Sequence, residues 1–191
     1  GQACVNTQPL GLDNASAQVR GYLPQEEARL FPMTCHQYVL SARSPWLAWH
    51  QDFTSEDYER ADQAIERLSL GHKRSSSIQS LSGGEWQRLR LAALVCQDAP
   101  MWLMDEPAEH LDPGHIWSTL PELISKHCQS GGAVLMVGHD PDWAAQIADQ
   151  AVLLDAVDWS WGSAEEQLTQ PKLSQLYAHP YRCVDGRWLA G

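Results

Sequence analysis

The chain has 191 residues, 43% of them hydrophobic, and a formal net charge of −11. That length supports a real core in one domain or a domain with a subdomain. No apolar run approaches the roughly 20 residues of a membrane-spanning helix, so the chain reads as soluble, and the acidic balance argues against nucleic acid as the main partner. The five cysteines (4, 35, 96, 128 and 183) are scattered with no C-x-x-C pair, which suits a reducing compartment better than a disulfide framework. His127-Cys128 and the other histidines show no metal-ligand spacing. No signal peptide and no initiator Met are present; the sequence opens at Gly1 in mid-pattern.

In chain order, residues 1–24 read as two short strands, around Ala3-Cys4-Val5 and Gly21-Tyr22-Leu23, joined by a polar connection containing Gly11 and Asn14. The second strand ends at Pro24-Gln25, and a glutamine there is by itself an ordinary solvated loop residue. Residues 31–99 are mostly helical in pattern. Thr34 is placed to cap a helix reaching Ala42, and Ser55 one reaching Leu68, with Glu56, Asp57 and Glu59 in its acidic first turns. Tyr58, Ala61, Ile65 and Leu68 fall on one face of that helix. Trp46 and Trp49 bracket a turn expected to be exposed, where simple packing is favoured over contact with a partner.

The stretch Leu81-Ser82-Gly83-Gly84-Glu85 runs directly into Trp86-Gln87-Arg88-Leu89-Arg90-Leu91-Ala92-Ala93. Two glycines leave backbone N–H groups unshielded, Ser82 adds a hydroxyl, and a helix follows with no breaker until Pro100. Exposed amides at a helix N-terminus favour anions, so this is a phosphate-binding arrangement with no lysine in it. Residues 89–96 are apolar nearly all round, interrupted by Arg90, as in a buried helix. The plain alternative for Ser-Gly-Gly alone is an ordinary loop before a helix.

Met101-Trp102-Leu103-Met104 reads as a buried parallel strand ending in Asp105-Glu106-Pro107. Adjacent carboxylates after a buried strand are costly unless paired, which suggests a cation or a catalytic task over a simple helix-capping acidic pair. His110-Leu111-Asp112 follows, then Pro113 opens a helix to about Cys128 in which Pro121 is expected to kink or divide the rod. Gly131-Gly132 ends it, and residues 133–137 form another expected buried strand that delivers Gly138-His139-Asp140 to the sheet edge carrying Asp105. Beyond lie a short helix over 143–149, a strand over 151–154 paired with 158–162 as a hairpin, and a Ser163/Glu166 capping box. Pro171 starts a last helix carrying Leu173, Leu176 and Tyr177, and Asp185-Gly186 turns a final hairpin between 181–184 and 187–189.

The string Leu81-Ser82-Gly83-Gly84-Glu85 with Gln87-Arg88 resembles the signature motif of ABC (ATP-binding cassette) ATPases, and its neighbours agree in order and spacing. Asp105-Glu106 resembles a Walker B motif and catalytic glutamate, Asp112 the D-loop aspartate, His139 the switch histidine and Gln25 the Q-loop glutamine. The string from Pro32-Met33-Thr34 to Ser44-Pro45 is similar to importers of iron–siderophore complexes, haem and vitamin B12. The resemblance implies an α/β fold: a P-loop NTPase-type, mostly parallel sheet with an inserted helical subdomain. It divides the chain into N-terminal strands and Q-loop (1–30), helical subdomain with the signature helix (31–99), core with Walker B, D-loop and switch histidine (100–162) and tail (163–191). The implied cofactors are ATP and Mg²⁺. Asp105 and Gln25 hold the metal, Glu106 is the general base, and His139 hydrogen-bonds the γ-phosphate. Residues 81–85 cover a nucleotide carried by a second subunit.

A family member needs a G-x-x-x-x-G-K-[ST] loop, and here Lys73, Lys126 and Lys172 each follow a residue other than glycine. The expectation is a partial sequence lacking the first strands and P-loop helix; a true short paralogue is the alternative. As it stands the chain is expected not to hydrolyse ATP, and its uncovered sheet to make it prone to aggregation. Three functions are open: the ATPase subunit of an importer, a soluble ABC-type ATPase of DNA repair or translation, or a non-hydrolysing module. The first is favoured. It implies transmembrane permease subunits, a second ATPase copy, indirect contact with a substrate-binding protein, no nucleic acid, and a place in the cytoplasm on the inner face of the membrane. The transported substrate is not identified by these residues.

Overall fold

The computed structural model describes residues 4–5, 8–9 and 14–191. The chain forms two compact units, one through Val137 and one from Gly138 to Gly191. The first is built on a parallel sheet in the order β3 (Arg20–Leu23), β4 (Met101–Asp105), β5 (Ala133–Val137), preceded by a small antiparallel pair, β1 (Cys4–Val5) and β2 (Gln8–Pro9). Ala3 of the first expected strand and Gly11 of the expected connection lie outside the described residues. The supposed connection contains instead a helix, α1 (Asn14–Val19), leading straight into β3. Six residues are too few to hold a helix alone. Tertiary bonds secure it: the Gln97 amide donates to the Ala17 and Arg20 carbonyls at 2.6 and 2.9 Å, and the Gln18 amide to the Pro45 carbonyl at 2.8 Å.

Between β3 and β4 the chain inserts α2 (Cys35–Ser41), α3 (Ser55–Arg67) and α4 (Gly83–Gln97). Thr34 caps α2 through a full capping box with Gln37. The cap of α3 is Thr54 rather than Ser55, because Asp57 three residues on closes a reciprocal box with it. Ala61, Ile65 and Leu68 are buried as their spacing requires, whereas Tyr58 stays half-exposed, stacked on His36. Trp46 packs, donating its indole N–H to the Gln97 carbonyl at 2.6 Å, while Trp49 is 89% exposed. Buried Arg43 ties the layer together: it pairs with Asp57 at 2.8 Å and donates to the last α4 carbonyls, of Cys96 and Gln97.

The strands align Gly21 with Trp102 and Val134, and Leu23 with Met104 and Met136. This set faces the helices. A Cβ on Gly21 would lie 2.4 Å from Leu94 of α4, and Trp102 stacks on His127 of α5 (Leu120–Gln129) at 3.8 Å. The opposite face carries Tyr22, Leu135 and Val137, which are 60, 55 and 61% exposed. Residues 133–137 are therefore not the fully buried strand their composition suggests, because helices cover one face of the sheet among the described residues. Pro121 disturbs its helix without dividing it, since Thr119 and Leu120 before it stay right-handed helical. A π-helical turn, His115–Thr119, precedes α5, and Pro121 supplies no N–H to continue the regular ladder.

The second unit contains α6 (Pro141–Ile147), the hairpin β6 (Gln150–Leu154) and β7 (Trp159–Ser163), α7 (Ala164–Gln167), α8 (Gln170–Leu176), and the hairpin β8 (Tyr181–Val184) and β9 (Arg187–Ala190). Its core is Ala164, Leu168 and Leu173, packed by Tyr177, Tyr181 and Trp188. The Ser163/Glu166 capping box forms, and Asp185 and Gly186 take the positive φ of a tight hairpin turn (50° and 78°).

Candidate functional site

Ser82 caps α4 in the form its sequence dictates: its Oγ accepts the Glu85 N–H at 3.2 Å, and the Glu85 carboxylate accepts the Ser82 N–H at 2.8 Å. The box uses those two donors and leaves the N–H groups of Gly83 and Gly84 outside it. Gly84 is closely packed as well: a Cβ there would come within 3.0 Å of the His110 carbonyl oxygen, whereas one on Gly83 would make ordinary contact, 3.4 Å, with the His110 ring. Leu81 is buried and anchors the approach to the helix.

The arrangement differs from a lysine-free anion site in one respect. Lys73, in a 3₁₀ turn over Gly71–Lys73, places its ammonium 3.0 Å from the Glu85 carboxylate. The Ser82 N–H, followed by Lys73, draws the Glu85 carboxyl down to about 2. Glu85 is thus ionised at the helix start, with Lys73 neutralising it. Arg29 braces the same entry, donating to the carbonyls of Leu81 (2.6 Å) and Ile78 (3.3 Å) with its guanidinium over the Trp86 ring.

Asp105 ends β4 opposite Val137, and Glu106 follows in a left-handed backbone conformation (φ 48°) with its N–H donating to the Val137 carbonyl at 3.0 Å. A non-glycine residue there is strained, a condition found at functional turns. Both carboxylates are half-buried. The turn continues through buried Pro107 to Glu109, whose Oε2 accepts the Gln25 amide N–H at 3.3 Å. Gln25 is thereby brought to the segment carrying the paired carboxylates. Asp112 takes a capping position: its carboxylate accepts the His115 N–H at 3.2 Å and meets His115 Nδ1 at 2.8 Å, and this N–H first of all holds its pKa down.

His139 lies in the second unit, where its carbonyl accepts the Tyr177 hydroxyl at 2.8 Å and Asp140 beside it caps α6. The first unit thus gathers Gln25, residues 81–85 and residues 105–112, with His139 carried by the second.

Two residues have a larger part than the sequence reading gave them. Arg90 is only 4% exposed, and its guanidinium donates to the Pro24 carbonyl, the Gln25 carbonyl (3.3 Å), Glu27 Oε2 (3.3 Å) and Gln87 Oε1 (2.7 Å). Gln87, equally buried, donates its amide N–H to the Pro107 carbonyl at 3.0 Å. The available signal was an arginine on an otherwise apolar helix, since a buried charge demands partners.

No group of three or more His, Cys, Asp or Glu side chains able to hold a metal exists among the described residues. The donors that remain, the Asp105 carboxylate and the Gln25 amide oxygen, are hard oxygens of the kind Mg²⁺ takes while keeping several of its waters. They suit that ion rather than a transition metal.

A parallel sheet with helices inserted ahead of the strand that carries the acidic pair, and a glycine-started helix beside that strand's end, is an α/β arrangement of the P-loop NTPase type. Residues 2–109 match the family model described as ABC transporter. The hemin import ATP-binding protein HmuV of Nocardia farcinica is 34% identical over 173 residues, covering 88% of this chain and 58% of its own length. The vitamin B12 import ATP-binding protein BtuD of Escherichia coli is 35% identical over 188 residues, covering 93% and 72%. A solved metal-chelate type ABC transporter in an inward-facing conformation aligns with a TM-score of 0.77 at 26% identity, over 90% of this chain and 70% of that one. CbiO1 of Clostridium perfringens, part of the ABC transporter complex cbiONQ, shares the fold at a TM-score of 0.69 and 17% identity. The chain belongs to the ABC transporter family, in its ATP-binding branch, and spans 58% of the length of the hemin relative it matches.

Proposed function

We propose that this chain is the larger part of an ATP-binding subunit that couples ATP hydrolysis to import across a membrane, with an iron chelate, haem or cobalamin as the class of cargo. The cargo reading rests on the relatives, which include hemin and vitamin B12 import proteins. The single observation that carries the ATPase reading is local. The Gly83-Gly84 start of α4 and the Asp105-Glu106 end of β4 sit in one unit, joined by the Gln87 bond to Pro107 and the approach of His110 to both glycines.

In this reading Ser82, Gly83 and Gly84 offer amides and a hydroxyl to the triphosphate held by a second ATPase copy, with Leu81 and Glu85 fixing the loop. Asp105 and the Gln25 oxygen hold Mg²⁺ through water, Glu106 polarises the attacking water, and His139 meets the γ-phosphate. Asp112 stands where the two ATP sites of a dimer meet. The phosphate-gripping lysine loop is not among these 191 residues, so hydrolysis is assigned to the assembled ATPase rather than to this stretch alone. Permease subunits are the direct partners and a substrate-binding protein an indirect one, at the inner face of the membrane. No helix among the described residues is long and apolar enough to cross a membrane. The four functional segments, 1–30, 31–99, 100–162 and 163–191, follow from the same reading.

The test is Glu106→Gln in the complete transporter. Loss of the base is expected to lower ATP turnover by about 10²–10⁴-fold while nucleotide still binds. Turnover within a factor of two or so of the parent overturns the assignment.

A further inference from the structure

The hydrogen bonds of Gln87 and Arg90 form a closed circuit among three segments far apart in sequence. Arg90 binds the segment after β3 through the Pro24 and Gln25 carbonyls and Glu27. Gln87 binds the segment after β4 through the Pro107 carbonyl and passes its own oxygen to Arg90. The two segments then meet directly, Gln25 donating to Glu109. Gln87 and Arg90 stand three residues apart, hence on one face of α4, and Gly84 lies one turn before Gln87. Its two hubs, Gln87 and Arg90, are buried at 4% exposure, where a lost partner is costly, and the circuit closes at the surface through the exposed Gln25–Glu109 bond.

We propose that Gln87 and Arg90 are positioning residues through which α4 fixes Gln25 relative to the segment following Asp105 and Glu106, so that contact at Gly83 and Gly84 and the placement of Gln25 change together. The inference deepens the ATPase reading and rests on it for its consequence in turnover; the circuit itself needs no nucleotide. A rigid helix carries the displacement, because its backbone bonds resist compression whereas the two segments it holds are irregular.

Gln87→Glu is the informative substitution: it keeps an oxygen for Arg90 and removes the N–H donated to Pro107. Among the described residues the Gln87 side chain hydrogen-bonds Pro107 and Arg90 and not residues 25–27. Backbone hydrogen exchange in the full chain is expected to speed about tenfold at 108–110 and at 25–27 together, with α3 unchanged. Faster exchange at 108–110 alone overturns the proposal. Should that variant fail to fold, Gln25→Ala probes the circuit from the other side: faster exchange at 108–110 supports it, and unchanged exchange there overturns it. In the complete ATPase, Gln87→Glu and Gln25→Ala combined are expected to slow turnover no more than the worse single variant; multiplied effects overturn the coupling. If Glu106→Gln leaves turnover intact while exchange responds as expected, the ATPase reading fails and the circuit stands.

Discussion

Glu85 is the acidic residue in the first turn of α4, and its ionisation links that start to pH. Its folded pKa lies at about 2, below the ordinary 4.5, so the stabilisation is fully present above pH 4.5 and is lost as pH falls toward 2. Urea midpoints of the parent and of Glu85→Gln are expected to differ most near neutral pH and to converge on acidification through that window. A constant difference would mean that the carboxylate contributes nothing as an anion. Arg90 poses a larger energetic question. Arg90→Met would leave the buried Gln87 oxygen and the part-buried Pro24 and Gln25 carbonyl bonds without their donor, with an expected loss of about 1–3 kcal/mol in chemical denaturation. At Gly84, alanine brings about 1 kcal/mol of better helix propensity against a Cβ 3.0 Å from the His110 carbonyl. Gly84→Ala is therefore expected to alter stability little and to weaken nucleotide contact, as measured by nucleotide affinity in the assembled ATPase.

Elements whose signals are local could be read directly from the sequence. The cap of α2, the Ser163/Glu166 box and the Asp185-Gly186 turn each depend on residues within four positions of one another. The disturbance before Pro121 was legible for the same reason, since a missing N–H acts on its own helix, though the result is a π-helical turn and not a break. Ser82→Ala should cost about 1 kcal/mol, the worth of an N-cap, and circular dichroism under denaturant would register it. What escaped reading depends on distant partners. The helix α1 exists because Gln97, some eighty residues on, caps it. The exposed face of β5 depends on which side of the sheet is covered, and its apolar run carries no record of that. For the site, the motifs identified the participants, but Arg90 looked like an interruption of a helix when it is the residue joining Gln25 to α4.

At the scale of the whole molecule, both units show apolar sheet surface. In the first it is Tyr22, Leu135 and Val137; in the second, the β6–β7 hairpin turns Val152, Leu154, Trp159 and Trp161 outward. Contiguous apolar surface of this kind drives association. The isolated chain is expected to scatter light at micromolar concentration and to bind a hydrophobic dye, with Leu135→Lys and Trp161→Lys each reducing both. A monodisperse, dye-silent chain would contradict that. In the assembled ATPase the start of α4 is expected to face the γ-phosphate of a nucleotide held by the second copy. Label a Glu106→Gln complex with an ATP analogue photoreactive at its γ-phosphate, then map the modified residues. Labelling within 82–85 is expected; label confined to other segments, with 82–85 untouched, would contradict a phosphate-facing start of α4.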